Sequence, residues 1–251
     1  MGKIIAIGGG EIGRPGYLAT TTKIDKEIIR LSGKKCPKLL FIPTASLDSE
    51  GYIKSVEKHF GKRLGCKVDS LCLIKEKLSS KEISKKILSS DIVYVGGGNT
   101  LRMMNVWRKF KVDKILKKAY ENGIVLSGLI AGSICWFKGG NSDSRKIKNK
   151  KAKPIKVKGL GFINALCCPH YDIEKYRKKS LKEMMKKTAG VAIALENCSA
   201  LEIVDDNYRL IISKHGKRGY KVFWNKGKFY KIPIKPEKKL MPIRNLLNKF
   251  I

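Results

Sequence analysis

The stretch Ile124-Val-Leu-Ser-Gly-Leu-Ile-Ala-Gly-Ser-Ile-Cys-Trp-Phe137 decides the fold of this chain. It begins as an apolar run typical of a buried strand and continues into an apolar segment that suits a helix. Between the two, Gly128 and Gly132 bracket a turn that is too crowded for side chains. A strand, a tight turn and a helix form the frame of a nucleophile elbow, G-x-S-x-G, whose central residue stands above the sheet. Here the central residue is Ile130, so the frame is present without its chemical group.

Apolar runs and amphipathic segments alternate along the chain from residue 3 to residue 137. This alternation predicts an α/β fold in which helices cover both faces of a mostly parallel sheet. Further on, residues 200–204, 208–213 and 222–224 have the pattern of short antiparallel strands, which predicts a small antiparallel C-terminal extension. No internal repeat and no clear second domain interrupt the chain. We therefore predict one α/β domain over residues 1–251, with residues 226–251 as a C-terminal tail.

Two glycine clusters follow predicted strands, as the elbow does. Gly8-Gly9-Gly10 lacks both dinucleotide spacing and a P-loop Lys-Ser/Thr, so we interpret it as a tight turn beside a cleft. Gly96-Gly97-Gly98 precedes a predicted helix and can direct backbone N–H groups at a neighbouring site as oxyanion donors. Ligands of parallel α/β sheets bind at the carboxyl ends of the strands. The three stretches therefore predict one shared crevice.

Beyond the elbow, Gly139 to Ser144 has the composition of a polar, turn-rich loop, and a lysine-rich run spans residues 145–158. His170 follows a buried-looking segment that ends at Cys168. A lone histidine is more often structural than catalytic, and its position in the same half as the elbow leaves both roles open here.

Composition narrows the function classes. The chain has 54 Lys and Arg against 21 Asp and Glu, a net charge of +33. The excess is mainly lysine, which lacks the bidentate geometry of arginine, and it is spread along the chain. We therefore expect a solvated lysine-rich surface rather than specific nucleic-acid binding.

The seven cysteines include no C-x-x-C pair, which favours free thiols in a reducing cytoplasm over a zinc or disulfide framework. We predict no metal, no cofactor, no signal peptide and no membrane span.

Taken together, several motifs resemble those of peptidase family S51, the group of dipeptidase E and cyanophycinase. The resemblance runs from about residue 3 to residue 225 and rests on Gly8 to Gly13, Tyr94 to Thr100, Ser127 to Trp136 and Pro169-His170. It implies a three-layer α/β/α sandwich like that of class I glutamine amidotransferases. It also implies a serine nucleophile and hydrolysis of short peptides, often beside an aspartyl residue.

The resemblance also implies a role for each matching position. Ile130 stands where the family has its serine, and His170 matches the family's histidine. The acidic member is Glu196 or Asp143. The oxyanion donors would be the N–H of Ala131 and one from Gly97 or Gly98. Ser133 lies one helical turn after the elbow, and we expect it to pack rather than to replace the nucleophile.

These observations leave three hypotheses. The chain is an S51-type peptidase whose activity is lost or very weak because position 130 is isoleucine. Alternatively, it is a pseudoenzyme that binds a short peptide or another anion in an intact crevice. The second alternative is a binder of polyanions or nucleic acid through its lysine-rich surface. For all three we expect a cytoplasmic monomer or homodimer without a membrane partner.

Overall fold

The computed structural model describes residues 2–146, 149–173 and 175–249. Over these ranges, strands and helices alternate in the first half of the chain as the sequence predicts. The strands of this half are β1 (Lys3–Ile7), β2 (Lys38–Ile42), β3 (Lys67–Ser70), β4 (Ile92–Val95) and β5 (Val125–Leu129). The helices between them are α1 (Thr22–Leu31), α2 (Glu50–Val56), α3 (Ser80–Leu88), α4 (Thr100–Lys109) and α5 (Val112–Glu121). A π-helical segment, Glu57–Arg63, continues α2.

The second half of the chain contains more strands than the sequence predicts. They are β6 (Phe137–Ser142), β7 (Ile155–Lys158), β8 (Ile163–Pro169), β9 (Ala192–Leu195), β10 (Ser199–Val204), β11 (Asn207–Ile212), β12 (Gly219–Asn225), β13 (Lys228–Ile234) and β14 (Met241–Pro242). The helices are α6 (Ala131–Ile134), α7 (Lys175–Lys186) and α8 (Ile243–Leu247). The predicted C-terminal tail thus contains β13, β14 and α8, and its last two residues lie outside the described ranges.

The larger sheet has the strand order β14-β11-β10-β1-β5-β4-β2-β3. Pairing is parallel from β1 to β3 and antiparallel from β1 out to β14. Alternate residues of β1 enter opposite cores. Ile5 and Ile7 pack with α1 and the π-helical segment, whereas Ile4 and Ala6 pack with α3, α4 and α5. Helices therefore cover both faces, which confirms the three-layer α/β/α sandwich with antiparallel edge strands.

A second, six-stranded sheet has the order β13-β12-β9-β8-β6-β7. It includes residues 139–142, so the prediction of a polar loop there is wrong. The glycines of β6 are required by close strand contacts rather than by a turn. A β-carbon at Gly139 would lie 2.3 Å from Val157 O, and one at Gly140 would lie 2.4 Å from Cys167 O. Helix α7 packs on this sheet through Leu181 and Met185. In the ranges described above, no helix is long and apolar enough to cross a bilayer.

Candidate active site

The elbow forms at the junction of β5 and α6. Ile130 adopts φ +59° and ψ −102°, a backbone conformation that is strained for a β-branched residue. The Ile130 amide donates a hydrogen bond to Ile7 O at the end of β1, which fixes the turn against the central strand. Both elbow glycines are packed on one carbonyl group. Added β-carbons at Gly128 and Gly132 would lie 2.5 Å and 2.2 Å from Val95 O.

The helix that follows is shorter than the sequence suggests. α6 is a single turn of four residues, and the chain then enters β6. The predicted oxyanion donors lie close to the elbow. Ala131 is the first residue of α6, where a backbone N–H has no acceptor within the helix.

Gly97 faces the side chain of Ile130. A β-carbon at Gly97 would lie 3.0 Å from Ile130 Cδ1, and the Gly97 N–H donates to the Tyr52 hydroxyl at 3.3 Å. Gly98, at φ +139°, is packed so closely that a β-carbon would lie 2.3 Å from Ala45 O. The isoleucine side chain therefore contacts the glycine loop that was predicted to supply an oxyanion donor.

A crevice of about 610 Å³ opens in front of Ile130 and Gly97. Its wall includes Glu11 and Arg14, whose side chains form an ion pair with an N–O distance of 2.6 Å. Burial opposes ionisation of Glu11, but the hydrogen bonds and positive charge of Arg14 outweigh it and lower the pKa of this carboxyl. Burial raises the pKa of Tyr52, which also lines the crevice, to about 12, so its hydroxyl stays protonated at neutral pH.

His170 follows β8 and has an asparagine partner. Its Nδ1 donates to Asn197 Oδ1 at 2.7 Å, and its backbone φ of +150° is unusual for a residue with a side chain. Both side chains pack on Gly9, where an added β-carbon would lie 2.5 Å from each. Because an amide oxygen can only accept, Nδ1 carries a proton in this contact.

Asn197 is held in turn by a charged pair. Its backbone N–H donates to Asp172 Oδ1 at 3.0 Å, and Lys217 Nζ donates to Asp172 Oδ2 at 2.5 Å. Burial opposes ionisation of Asp172, but the hydrogen bonds from Lys217 and Asn197 lower its pKa overall. This chain of contacts fixes the position of the His170 ring.

The two candidate acidic residues contact groups at the end of the second sheet and at the start of α7. Glu196 accepts from the Arg218 N–H at 2.9 Å and from the Tyr220 hydroxyl at 3.2 Å. Asp143 pairs with Arg177 at 2.9 Å and accepts from the Tyr176 hydroxyl at 3.2 Å. These interactions fix the end of the second sheet and the start of α7.

Ser133 points into the protein core. It is fully buried, and its Oγ lies 3.3 Å from Cys167 Sγ. Burial raises the pKa of Cys167 to about 12 and that of Cys135 well above the ordinary thiol value. The hydroxyl and both thiols are thus packing groups. Among the described residues, no group of three His, Cys, Asp or Glu side chains could hold a metal ion.

The sequence reasoning missed three residues of this region: Asn197, Tyr52 and Arg14. Asn197 follows Glu196 directly in the sequence and is the residue at this strand end whose side chain contacts His170. Tyr52 lies on the amphipathic α2 and Arg14 in a loop, and neither position has a motif that would distinguish it.

Comparison with known proteins gives a consistent result. The sequence model of peptidase family S51 matches residues 4–211. The uncharacterized peptidase YgaJ of Bacillus subtilis (strain 168) is 34% identical over 238 residues, which cover 93% of this chain and 97% of YgaJ. Peptidase E of Nostoc sp. (strain PCC 7120 / SAG 25.82 / UTEX 2576) is 26% identical, and the match covers 75% of this chain and 78% of that protein.

Two solved structures have a similar fold. The crystal structure of a peptidase from an acI-B1 Actinobacterium has a TM-score of 0.70 at 18% identity, covering 96% of this chain and 97% of that one. A putative peptidase E from Listeria monocytogenes EGD-e has a TM-score of 0.63 at 19% identity, covering 84% and 98%.

Proposed function

Because this chain belongs to peptidase family S51, we propose that it is a peptidase scaffold that binds short peptides without hydrolysing them. The observation that carries the proposal is that an isoleucine, Ile130, occupies the strained elbow position with its side chain against Gly97. The backbone of a nucleophile elbow is present, and its side chain is an alkyl group.

An alkyl group cannot perform the first step of serine-type hydrolysis. That step needs a hydroxyl that attacks the carbonyl carbon while a histidine removes its proton. Loss of the nucleophile in such a triad lowers kcat on the order of 10⁶-fold. Ser133 offers no substitute, because its Oγ is buried against Cys167.

The crevice retains groups suited to a peptide. Glu11 is ionised, since its pKa is lowered, and it can attract the ammonium group of a free peptide N-terminus. Arg14 is half exposed and can pair with a carboxylate on the same ligand. Aliphatic contacts with Ile12, Leu129 and Ile130 complete the lining. We therefore propose that the ligand is a short zwitterionic peptide, including peptides with an aspartyl residue.

We also propose a reducing, cytoplasmic environment. All seven cysteines are free thiols, and six of them are buried. Buried thiols of this kind are typical of proteins from reducing compartments.

The proposal is tested by assaying the natural chain beside Ile130→Ser and Ile130→Ala on a panel of aspartyl and neutral dipeptides. We expect hydrolysis only by the serine variant, because the alanine variant removes the same bulk without adding a hydroxyl. Adding His170→Ala to the serine variant should abolish the new activity, whereas adding Ser133→Ala should leave it unchanged. Hydrolysis by the natural chain would overturn the proposed inactivity.

Binding is measured separately by calorimetric titration of the natural chain with the same dipeptides. We expect saturable heat that is weakened by Arg14→Gln. Absence of heat with every dipeptide would refute peptide binding, even if the serine variant proved active.

A further inference from the structure

The fold gathers lysines from distant parts of the sequence onto one surface. Four depressions of about 480 to 820 Å³ lie around β7 and α7. One depression, lined by Tyr176 and Lys179, shares a lining residue with each of the other three. The shared residues are Lys153, Lys156 and Lys187, so the four depressions form one continuous surface. We call this surface the basic belt.

The ratio of basic to acidic residues is much higher in the basic belt than in the whole chain. Among the described residues, eleven Lys and Arg side chains line the four depressions, against one carboxylate, Glu183. The whole chain has 54 basic and 21 acidic residues. Members from separate segments include Arg102, Lys138, Lys156, Lys179, Lys187 and Lys226. The folded chain thus concentrates a charge that the sequence distributes.

Two aromatic rings line the basic belt, each beside lysine side chains. Tyr176 lines one depression, with Lys146 Nζ 3.2 Å from its ring centroid. Trp224 lines another, with Lys182 and Lys186 Nζ each 5.9 Å from its centroid. Basic grooves with interspersed aromatic rings bind single strands, because the cations follow the phosphates and the rings stack on bases of any sequence.

We propose that the basic belt is a binding site for single-stranded nucleic acid, without base specificity. Lysine dominates it, and lysine neutralises phosphate as a point charge rather than by reading base edges. The basic belt and the crevice have no lining residue in common. Binding at this surface is therefore independent of the chemistry at Ile130.

The test is fluorescence anisotropy of a labelled oligothymidylate of about 20 nucleotides with the full chain, between about 50 and 200 mM KCl. Released counterions make log K fall linearly with log salt, with a slope of about −0.7 for each phosphate contacted by a single-strand binder. We expect the triple variant Lys153→Gln, Lys156→Gln, Lys187→Gln to reduce the magnitude of that slope by about 2. The matched control is Lys26→Gln, Lys62→Gln, Lys81→Gln, which removes the same charge at exposed positions outside the belt and should leave the slope unchanged.

Several outcomes would overturn the proposal. Equal slopes for the two triple variants would show that net charge, not the belt, determines binding. Equally tight binding of a duplex of the same length would exclude the preference for single strands. Stronger competition by polyglutamate than by unlabelled oligothymidylate would assign the surface to acidic polypeptides. Unchanged oligonucleotide affinity in Ile130→Ser is the expected result, and a loss there would contradict the independence of the two sites.

Discussion

At position 130, glycine should give a more stable protein than alanine, whereas alanine is the more stabilising of the two in regular helices and strands. Both substitutions remove the half-buried isoleucine side chain beyond its β-carbon, so most of the lost apolar contact cancels when the two variants are compared. In ordinary helices and strands, alanine is favoured over glycine by about 0.5–1 kcal/mol because glycine loses more conformational entropy on folding. At φ +59° and ψ −102°, however, a residue with a β-carbon is strained.

The strain of such a sparsely populated conformation is about 1–3 kcal/mol, and glycine avoids it. Subtracting the entropic penalty leaves Ile130→Gly more stable than Ile130→Ala by roughly 0–2.5 kcal/mol, with a midpoint of about 1 kcal/mol. The free energy of unfolding is measured by urea titration of both variants, with unchanged m-values as the sign that the unfolded state is the same.

The matched control is the exposed helical position Lys85 of α3. There, Lys85→Ala should be more stable than Lys85→Gly by about 1 kcal/mol. If alanine is also the better residue at position 130, the elbow does not hold its strained backbone in solution. The comparison of Ile130 with a nucleophile position would then lose its structural basis.

Two further predictions concern the buried Arg177 and the carboxylate of Asp172. Arg177 is buried and donates to Asn141 O at 2.6 Å, so Arg177→Ala should lower the free energy of unfolding by about 2–4 kcal/mol. The exposed neighbour variant Lys178→Ala should change it by less than about 0.5 kcal/mol, and equal effects would contradict the buried contact. Asp172 has a lowered pKa, so its contribution to stability is full above the unfolded value of 3.8 and is lost as pH falls through the folded value. Asp172→Asn should therefore reduce Tm at pH 7 and flatten the decline of Tm below about pH 4, and curves that stay parallel to the natural chain would refute this.

Most of the parallel half of the fold was predictable because β1, β2, β4 and β5 are mainly apolar runs followed by a turn. The elbow was also predictable, because Gly128 and Gly132 mark the tight turn whichever residue lies between them. The second sheet was not, because β6 contains Gly139 and Gly140, whose turn-like composition reflects close packing on neighbouring carbonyls.

The contacts of the candidate site also depend on packing between distant segments, which the sequence pattern does not reveal. His170 was identified as a candidate, but its contact with Asn197 depends on how the end of β9 meets the end of β8. Asparagine and glutamate are adjacent there, and no local pattern tells which one reaches the imidazole. The basic belt was only partly visible in the sequence: four of its eleven basic residues lie in the lysine-rich run 145–158, and the others come from distant segments. The pairing of β6, β7 and β8, with α7 nearby, brings them together.

The packing of both elbow glycines on Val95 O has a consequence for substitutions. A side chain at either position would collide with the backbone of β4, so substituting either glycine requires the backbone to shift. Residue 130 meets no such collision, because its side chain faces the crevice, and its own constraint is the positive φ. A substitution at position 130 can therefore change the chemistry of the elbow while both glycines stay in place. The glycine frame is therefore explained by packing on β4, whichever residue stands at position 130.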